Sequence, residues 1–184
     1  MQSSQKVVLQ EEDVKRALTR IAHEIVERNP DDPAPAVVGI HRRGAFLAHR
    51  LHALLEELLG TDVPLGDLDI GFYRDDVASR PQAPVLHSSH IDFDLSQRTI
   101  VIVDDVLFTG RTARAAIDAL FDYGRPERVQ LAVLADRGHR ELPIRPDFVG
   151  KNLPTSRAEH VNVRVAELDG IDEVTIAPAT LEVA

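Results

Sequence analysis

The sequence predicts an α/β fold in which a largely parallel central sheet is flanked by helices. Short apolar runs rich in β-branched residues alternate along the chain with longer segments whose apolar residues recur at helical spacing, which is typical of a parallel sheet covered by helices. The 184 residues contain no internal repeat and no linker-like segment that would divide the chain. We therefore expect residues 1–184 to form one domain, with its ligand crevice beyond the carboxyl ends of the strands.

Three helices are predicted from apolar spacing and from the glycines that end two of them. The first is marked by apolar residues that recur every three or four positions, namely Val14, Ala17, Leu18, Ile21, Ala22, Ile25 and Val26. Residues 45–59 form the second helix, which ends at Gly60, and residues 113–123 form the third, which ends at Gly124.

Strands are predicted where the chain carries short apolar runs, at residues 36–40, 100–103, 129–134, 161–165 and 174–176. A further strand is predicted because Leu68, Ile70 and Phe72 alternate with polar residues or glycine, as in a half-buried strand. Residues 73–89 are polar and poor in apolar side chains, and we expect them to form a long loop.

The most informative segment is residues 99–113, which reads TIVIVDDVLFTGRTA. An apolar strand is followed by Asp104 and Asp105, then by a turn at residues 109–112, and then by the third helix. The unpaired N–H groups at a helix start and the positive end of its dipole favour an anion such as phosphate, which Gly110 allows to approach closely. Because the two carboxylates would repel that anion, we expect them to face sugar hydroxyls, a metal ion or a developing cation.

Other proteins also place acidic residues at a strand end before a capped helix, as receiver domains and P-loop proteins do. A P-loop is excluded because the pattern Gly-x-x-x-x-Gly-Lys-[Ser/Thr] does not occur. A receiver-like phosphoacceptor would need a suitably placed lysine, whereas the chain has only Lys6, Lys15 and Lys151. It would also leave the Thr-Gly-Arg-Thr turn unexplained.

Residues 99–113 resemble the phosphoribosyl-diphosphate (PRPP) signature of type I phosphoribosyltransferases. The resemblance implies the type I phosphoribosyltransferase fold with a small hood region. It also implies that the acid pair addresses the ribose hydroxyls, directly or through Mg²⁺ that PRPP carries in, with no direct metal ligand from the chain. The substrate-binding residues that it implies in this segment are Asp104, Asp105, Val106, Leu107, Phe108, Thr109, Gly110, Arg111 and Thr112.

Three further segments are expected at the same sheet edge, although each could instead be a solvated surface segment. Arg42 and Arg43 form a basic turn similar to the family's diphosphate loop, and Arg42 departs from the threonine expected there. Arg74 opens the predicted loop and is expected to reach the diphosphate on closure. Arg137, with backbone near Val161, is expected to recognise a pyrimidine base. Together with the acid pair, Arg43 and Arg74 are the predicted catalytic residues.

The order of several blocks narrows the resemblance, namely residues 17–24, 73–76, 99–113, 136–145 and 150–156. This set resembles the PyrR family, and the likeness extends over nearly the whole chain. It implies uracil phosphoribosyltransferase activity, in which uracil and PRPP give UMP and diphosphate. It also implies a regulator that responds to UMP or UTP, binds a leader mRNA stem-loop of pyrimidine genes and assembles into a homo-oligomer, a dimer or higher.

The positions that correspond to the family's RNA contacts are Thr19, Arg20, His23, Arg140, Arg145 and Lys151. All six carry side chains suited to phosphates or splayed bases, although a solvated surface has the same composition. Because the net charge is −9, an RNA partner requires a local basic patch of this kind. Two alternatives stay open: an RNA regulator with vestigial catalysis, and a purine or orotate phosphoribosyltransferase with no RNA role.

Cysteine content and hydropathy bear on the cellular compartment. The chain contains no cysteine, so neither a disulfide framework nor a thiolate zinc site can form. No segment of the sequence is apolar for long enough to span a bilayer. We therefore expect a cytoplasmic protein with no membrane partner.

Overall fold

The computed structural model describes residues 5–32, 34–75 and 88–178. At its centre lies a parallel sheet of five strands in the order β3-β2-β4-β5-β6. These strands are β2 (Ala36–Ile40), β3 (Leu65–Leu68), β4 (Thr99–Leu107), β5 (Arg128–Asp136) and β6 (Phe148–Asn152). All of β2 and most of β4 are buried, as expected for strands with helices on both faces.

Three long helices cover the sheet: α1 (Glu11–Arg28), α2 (Arg43–Leu59) and α3 (Arg111–Phe121). The alternation of side chains along β4 divides the apolar core in two. Val101 and Val103 belong to the core that α1 and α2 complete, whereas Ile100 and Ile102 belong to the core that α3 completes. Since both faces of the sheet are sealed, its carboxyl edge is where polar groups can meet a ligand.

A small hood of three antiparallel strands completes the fold. β1 (Lys6–Leu9), β8 (Glu173–Ala177) and β7 (His160–Arg164) pair in that order, and α4 (Ala166–Asp169) connects the last two. Arg50 of α2 forms ion pairs with Glu167 at 2.6 Å and with Asp172 at 2.8 Å. Hydrogen bonding to Arg50 lowers the pKa of Glu167. These charge-assisted contacts join the hood to α2.

The predicted elements around the first two strands are only partly correct. β2 has the predicted bounds, and α2 begins at Arg43 rather than at residue 45. The strand predicted from Leu68, Ile70 and Phe72 is wrong, because β3 ends at Leu68 and Phe72 lies in a turn with 75% of its surface exposed. The Ile70 side chain is buried in the core and anchors that turn. The Ile70 carbonyl accepts the Tyr73 N–H at 2.9 Å, which closes the turn.

The sequence predicts no strand where β1 and β6 lie and no helix where α4 lies. In β6, a Cβ on Gly150 would lie 2.4 Å from the carbonyl oxygen of Leu134, so glycine is needed for the close approach to β5. Of the predicted loop, residues 76–87 lie outside the described residues. Within the described ranges, no helix has both the length and the apolar character needed to cross a membrane.

Candidate active site

The two adjacent carboxylates lie at the carboxyl end of β4. Asp104 is buried and Asp105 is half-buried. The backbone orients both, because Asp104 Oδ1 accepts the Asp105 N–H at 2.9 Å and Asp105 Oδ1 accepts the Val106 N–H at 2.8 Å. Burial, together with the charge of Asp105, raises the pKa of Asp104, and the charge of Arg74 acts in the opposite direction. The pair is a preorganised set of acceptors for hydroxyl groups or a cation.

The turn after β4 forms a concave site at the start of α3. Gly110 has a φ of +94°, and a Cβ there would lie 3.4 Å from Leu142 and Ile144. The carbonyl of Thr109 accepts the N–H groups of Glu141 at 2.9 Å and Leu142 at 3.1 Å, which fixes the turn against the loop after β5. Because an 11-residue helix begins at this turn, the site favours an anion. A cavity of about 260 Å³ is lined by Arg74, Asp75, Val106, Leu107, Phe108, Thr109, Gly110, Arg111 and Thr112.

The basic turn after β2 packs directly on the end of β4. A Cβ on Gly44 would lie 2.6 Å from the carbonyl oxygen of Val103 and 3.2 Å from Asp104 Cα. Glycine therefore permits the close approach of this turn to the acid pair. Arg42 is exposed, and the peptide bond between His41 and Arg42 is cis.

Arg43 joins the basic turn to the hood. Its Nη2 donates to both carboxylate oxygens of Asp169, at 3.0 and 3.2 Å. Its Nε is buried and has no hydrogen-bond partner among the described residues. A cavity of about 420 Å³ brings the predicted base-site residue Val161 into the same space as Arg43 and Asp105. It is lined by Gln5, Arg43, Asp105, Val161, Asn162, Val163, Arg164 and Asp169.

Arg137 follows β5 and packs against the signature segment. The guanidinium carbon of Arg137 lies 4.1 Å from the centroid of the Phe108 ring. The backbone N–H of Arg137 donates to the Leu107 carbonyl at 3.0 Å. Nη2 donates to the Ser156 carbonyl at 2.9 Å, whereas the buried Nε has no partner within the described part of the chain. Burial lowers the pKa of Arg137. The unpaired Nε–H of Arg137 is therefore available to donate a hydrogen bond to an acceptor atom of a ligand.

Arg74 and Arg111 lie at the mouth of the first cavity. Arg111 forms ion pairs with Glu141 at 3.0 Å and with Asp75. Glu141 and Asp75 each form an ion pair with Arg111, and Asp169 in the hood forms one with Arg43. The sequence predicts no role for these three acidic residues. No sequence signal could have found Glu141 or Asp169, because ion pairs between distant loops have no fixed spacing. The residue after Asp75, which belongs to the same predicted block, lies outside the described residues.

Five of the six predicted RNA-contact positions have exposed side chains, namely Thr19, Arg20, His23, Arg145 and Lys151. The first three lie on α1 and Lys151 lies on β6. Arg20 also donates to the carbonyls of Val149 at 3.1 Å and Gly150 at 2.6 Å, which ties α1 to β6. The two elements therefore present these positions side by side.

Arg140, the sixth position, is partly buried and makes several internal contacts. Its guanidinium donates to the carbonyls of Phe108 and Ile144 at 2.9 Å each and to Asp136 Oδ2 at 2.5 Å. Arg140 thus connects the signature segment to the loop that follows β5. A contact with RNA would compete with these internal partners.

Comparison with known proteins identifies the family. The family described as phosphoribosyl transferase domain matches residues 4–168. The bifunctional protein PyrR of Roseiflexus sp. (strain RS-1) is 60% identical over 177 residues, which cover 96% of this chain and 97% of that protein. The chain belongs to the PyrR family. A second PyrR protein, from Deinococcus deserti, is 54% identical over 176 residues, which cover 96% of each chain.

Solved structures agree on the fold of this PyrR-family chain. The hypoxanthine phosphoribosyltransferase of Trypanosoma cruzi superposes with a TM-score of 0.71 and covers 98% of this chain and 100% of its own. At 16% identity this likeness shows the fold alone. The type I phosphoribosyltransferase fold predicted from the signature is therefore confirmed, including the hood.

Proposed function

We propose that the protein is a pyrimidine-responsive, RNA-binding attenuator of pyrimidine biosynthesis genes that also converts uracil and PRPP to UMP and diphosphate. One observation carries the catalytic half: the acid pair Asp104 and Asp105 shares a sheet edge with the anion-binding turn and with the basic turn at Arg43. These three parts correspond to the three groups of PRPP, which are the ribose hydroxyls, the 5-phosphate and the diphosphate.

The proposed reaction depends on positioning and electrostatics. The bond between ribose C1 and the diphosphate oxygen breaks while a bond from C1 to a uracil nitrogen forms, and that nitrogen releases its proton to solvent. Positive charge develops on the ribose in the transition state. Asp104 and Asp105 orient the ribose hydroxyls and place negative charge close to that centre. Arg43 exchanges Asp169 for the departing diphosphate. Arg74 lines the cavity of the 5-phosphate turn and would have to move with its loop to reach the diphosphate. The turn at residues 109–112 holds the 5-phosphate.

PRPP is expected to bring Mg²⁺ to this site. Within the described ranges, no group of three or more His, Cys, Asp or Glu residues could hold a metal ion by itself. Asp104 and Asp105 are adjacent oxygen donors, and proteins typically hold Mg²⁺ through one or two carboxylates together with substrate phosphates and water. The pair therefore fits an ion that arrives with PRPP. When bound, Mg²⁺ neutralises charge on the diphosphate.

Recognition of uracil is assigned to Arg137 and to backbone near Val161. The unpaired Nε of Arg137 offers a donor to a uracil carbonyl, and the Phe108 ring below the guanidinium keeps it in place. Val161 lines the cavity that also contains Arg43 and Asp105, so a base there would be near ribose C1. These contacts fit a carbonyl-bearing base, and family membership points to uracil.

The RNA-binding half rests on family membership and on the exposed positions of α1, β6 and the loop before β6. Arg20, Arg145 and Lys151 supply positive charge, and Thr19 and His23 supply hydrogen-bonding groups. Because cationic side chains release counterions from phosphates, affinity for the leader stem-loop should fall steeply with salt concentration. UMP bound in the catalytic site, or UTP, would act as the co-regulator.

We also propose that residues 1–184 act as one domain and that the protein is a cytoplasmic homo-oligomer. Pairing of β1 with β8 supports one domain, because it joins the two ends of the described chain. Phe72, Phe121 and Tyr123, which are 75%, 50% and 46% exposed, support a contact surface between copies. The Tyr73 hydroxyl, which donates to Asp122, brings these two aromatic segments together.

The deciding experiment measures diphosphate release from PRPP and Mg²⁺ with uracil, orotate, hypoxanthine or guanine in parallel. UMP formed from uracil alone supports the proposal. Turnover of orotate or a purine would overturn the substrate assignment. No turnover, with UMP still bound tightly, would favour an RNA regulator with vestigial catalysis. Binding of the leader stem-loop with and without UMP tests the regulatory half.

A further inference from the structure

We propose that His41, held by Asp67 and His90, is a positioning residue for the basic turn that binds diphosphate. This inference rests on the proposed function, because it concerns how that turn meets the diphosphate of PRPP. His41 is the first residue of the turn, directly after β2. Its positive neighbours Arg42 and Arg43 suggest an anion contact, but its ring is directed to a carboxylate of the neighbouring strand.

The contact between His41 and β3 involves both side chain and backbone. His41 Nε2 lies 2.6 Å from Asp67 Oδ1, and the His41 N–H donates to the Leu68 carbonyl at 2.9 Å. The two side chains are only 21% and 23% exposed, so water competes weakly for this hydrogen bond. The start of the basic turn is thus fixed to β3 at two points.

Asp67 is itself held in place by His90. Asp67 Oδ1 lies 3.2 Å from His90 Nδ1, and the two residues exchange backbone hydrogen bonds of 2.9 and 3.0 Å. A Cβ on Gly66 would lie 2.8 Å from the His90 carbonyl oxygen, which shows how closely this segment packs on β3. The shared carboxylate therefore cannot turn away from His41 without breaking the second contact.

A fixed turn matters because its functional side chain has to move. In the proposed reaction the Arg43 guanidinium exchanges Asp169 for diphosphate, and the backbone that carries it must keep its place during that exchange. The His41 anchor supplies that fixed point. The 5-phosphate turn and Arg137 follow β4 and β5 and do not depend on this anchor. Loss of the anchor should therefore weaken diphosphate binding selectively and spare UMP, which carries no diphosphate.

The test compares three variants by steady-state kinetics and equilibrium binding. His41→Leu should raise both the KM for PRPP and the inhibition constant of diphosphate about tenfold. It should also lower kcat, because Arg43 binds the departing diphosphate, while the Kd for UMP should change less than about twofold. His41→Gln should restore wild-type values, because its amide N–H can donate to Asp67 from nearly the position of Nε2. His49→Leu, at an exposed histidine of α2, is the matched control and should leave all four constants unchanged.

The outcomes separate this inference from the proposed function. Wild-type KM for PRPP in His41→Leu, or a parallel loss of PRPP and UMP affinity, would overturn the inference while uracil turnover by the wild type still stood. If the wild type turned over no base, the Kd of diphosphate would be measured directly by titration in the presence of Mg²⁺. The ratio of this Kd between each variant and the wild type would then test the inference. Should His41→Leu fail to fold, Asp67→Asn replaces it, with an expected rise of about threefold in the two diphosphate-dependent constants.

Discussion

Arg140→Ala removes the side chain that joins the signature segment to the loop after β5. In the structure its guanidinium donates to the Phe108 and Ile144 carbonyls at 2.9 Å and to Asp136 Oδ2 at 2.5 Å. The side chains of Arg140 and Asp136 are 23% and 13% exposed, so water can replace these contacts only in part. We therefore expect the substitution to weaken the catalytic site and the folded state, in addition to any effect on RNA.

The size of the effect follows from the contacts that are lost. Removing one partner of a fully buried ion pair costs about 3–5 kcal/mol, and partial exposure places this pair at the lower end, about 3 kcal/mol. For a chain of this length each kcal/mol lowers the Tm by about 2–4 °C, so the Tm should fall by about 9 °C. Because Phe108 lines the cavity beside the turn at residues 109–112, the KM for PRPP should rise about tenfold.

The assay compares Arg140→Ala with Arg145→Ala in urea unfolding, PRPP kinetics and leader-RNA binding. Arg145 is exposed, and its loss should reduce RNA affinity with little change in stability or KM. If Arg140→Ala lost RNA affinity but kept wild-type stability and KM, the three internal hydrogen bonds would not brace the site. Arg140 would then be an RNA contact alone, with no role in the stability of the fold or in the PRPP site.

Three other substitutions have expected outcomes. Asp104→Asn should remove most turnover yet raise the Tm at neutral pH, because burial raises the pKa of Asp104. The wild-type carboxyl contributes stability that is present below its unfolded pKa of about 3.9 and is lost as the pH rises through the raised folded value, so the gain should vanish toward acid. Gly110→Ala should raise the KM for PRPP and destabilise the fold by about 1–2 kcal/mol, since φ is +94° and the new Cβ would contact Ile144. Arg20→Ala should weaken leader-RNA binding and leave uracil turnover nearly intact, with a small loss of stability because its bond to the Val149 carbonyl disappears.

Each of these outcomes has a direct check. Thermal unfolding of the Asp104 variant between about pH 4 and 8 tests the first, and a Tm difference that does not change with pH would contradict it. Steady-state kinetics tests the second, where an unchanged KM for PRPP would show that the positive φ is not required. RNA binding at low and high salt tests the third, and equal losses of RNA affinity and turnover would argue against separate surfaces.

β4 and β3 show which parts of the fold the sequence predicts. β4 carries its own signal, since four consecutive β-branched apolar residues are typical of a strand buried on both faces. β3 reads LGDL and pairs in parallel with β2, and its Gly66 packs closely against His90, a residue from a distant segment. Such a contact leaves no periodicity in the sequence, so the alternation around Ile70 was assigned to the wrong residues.

The candidate site also contains residues that the sequence predicts and residues that it does not. Asp104, Asp105 and the turn to Thr112 are brought together by local chain geometry, because a strand, an acid pair, a turn and a helix follow one another directly. The pairing of Arg43 with Asp169 joins residues 126 positions apart and depends on where the hood packs. Local order in the sequence therefore predicts the ligand-binding groups, while the residues that hold them emerge only from tertiary packing.

The hood has a consequence for protein synthesis. Lys6 of β1 pairs with Ile176 of β8, so β1 leaves the ribosome well before the strand that it pairs with. The parallel sheet and the turn after β4 can assemble on the nascent chain earlier, because all of their strands precede β7. Until β8 emerges, β1 is an unpaired edge that can pair with other chains. Asp169 and its bond to Arg43 also form late, so a nascent chain acquires the turn at residues 109–112 before it acquires its hood.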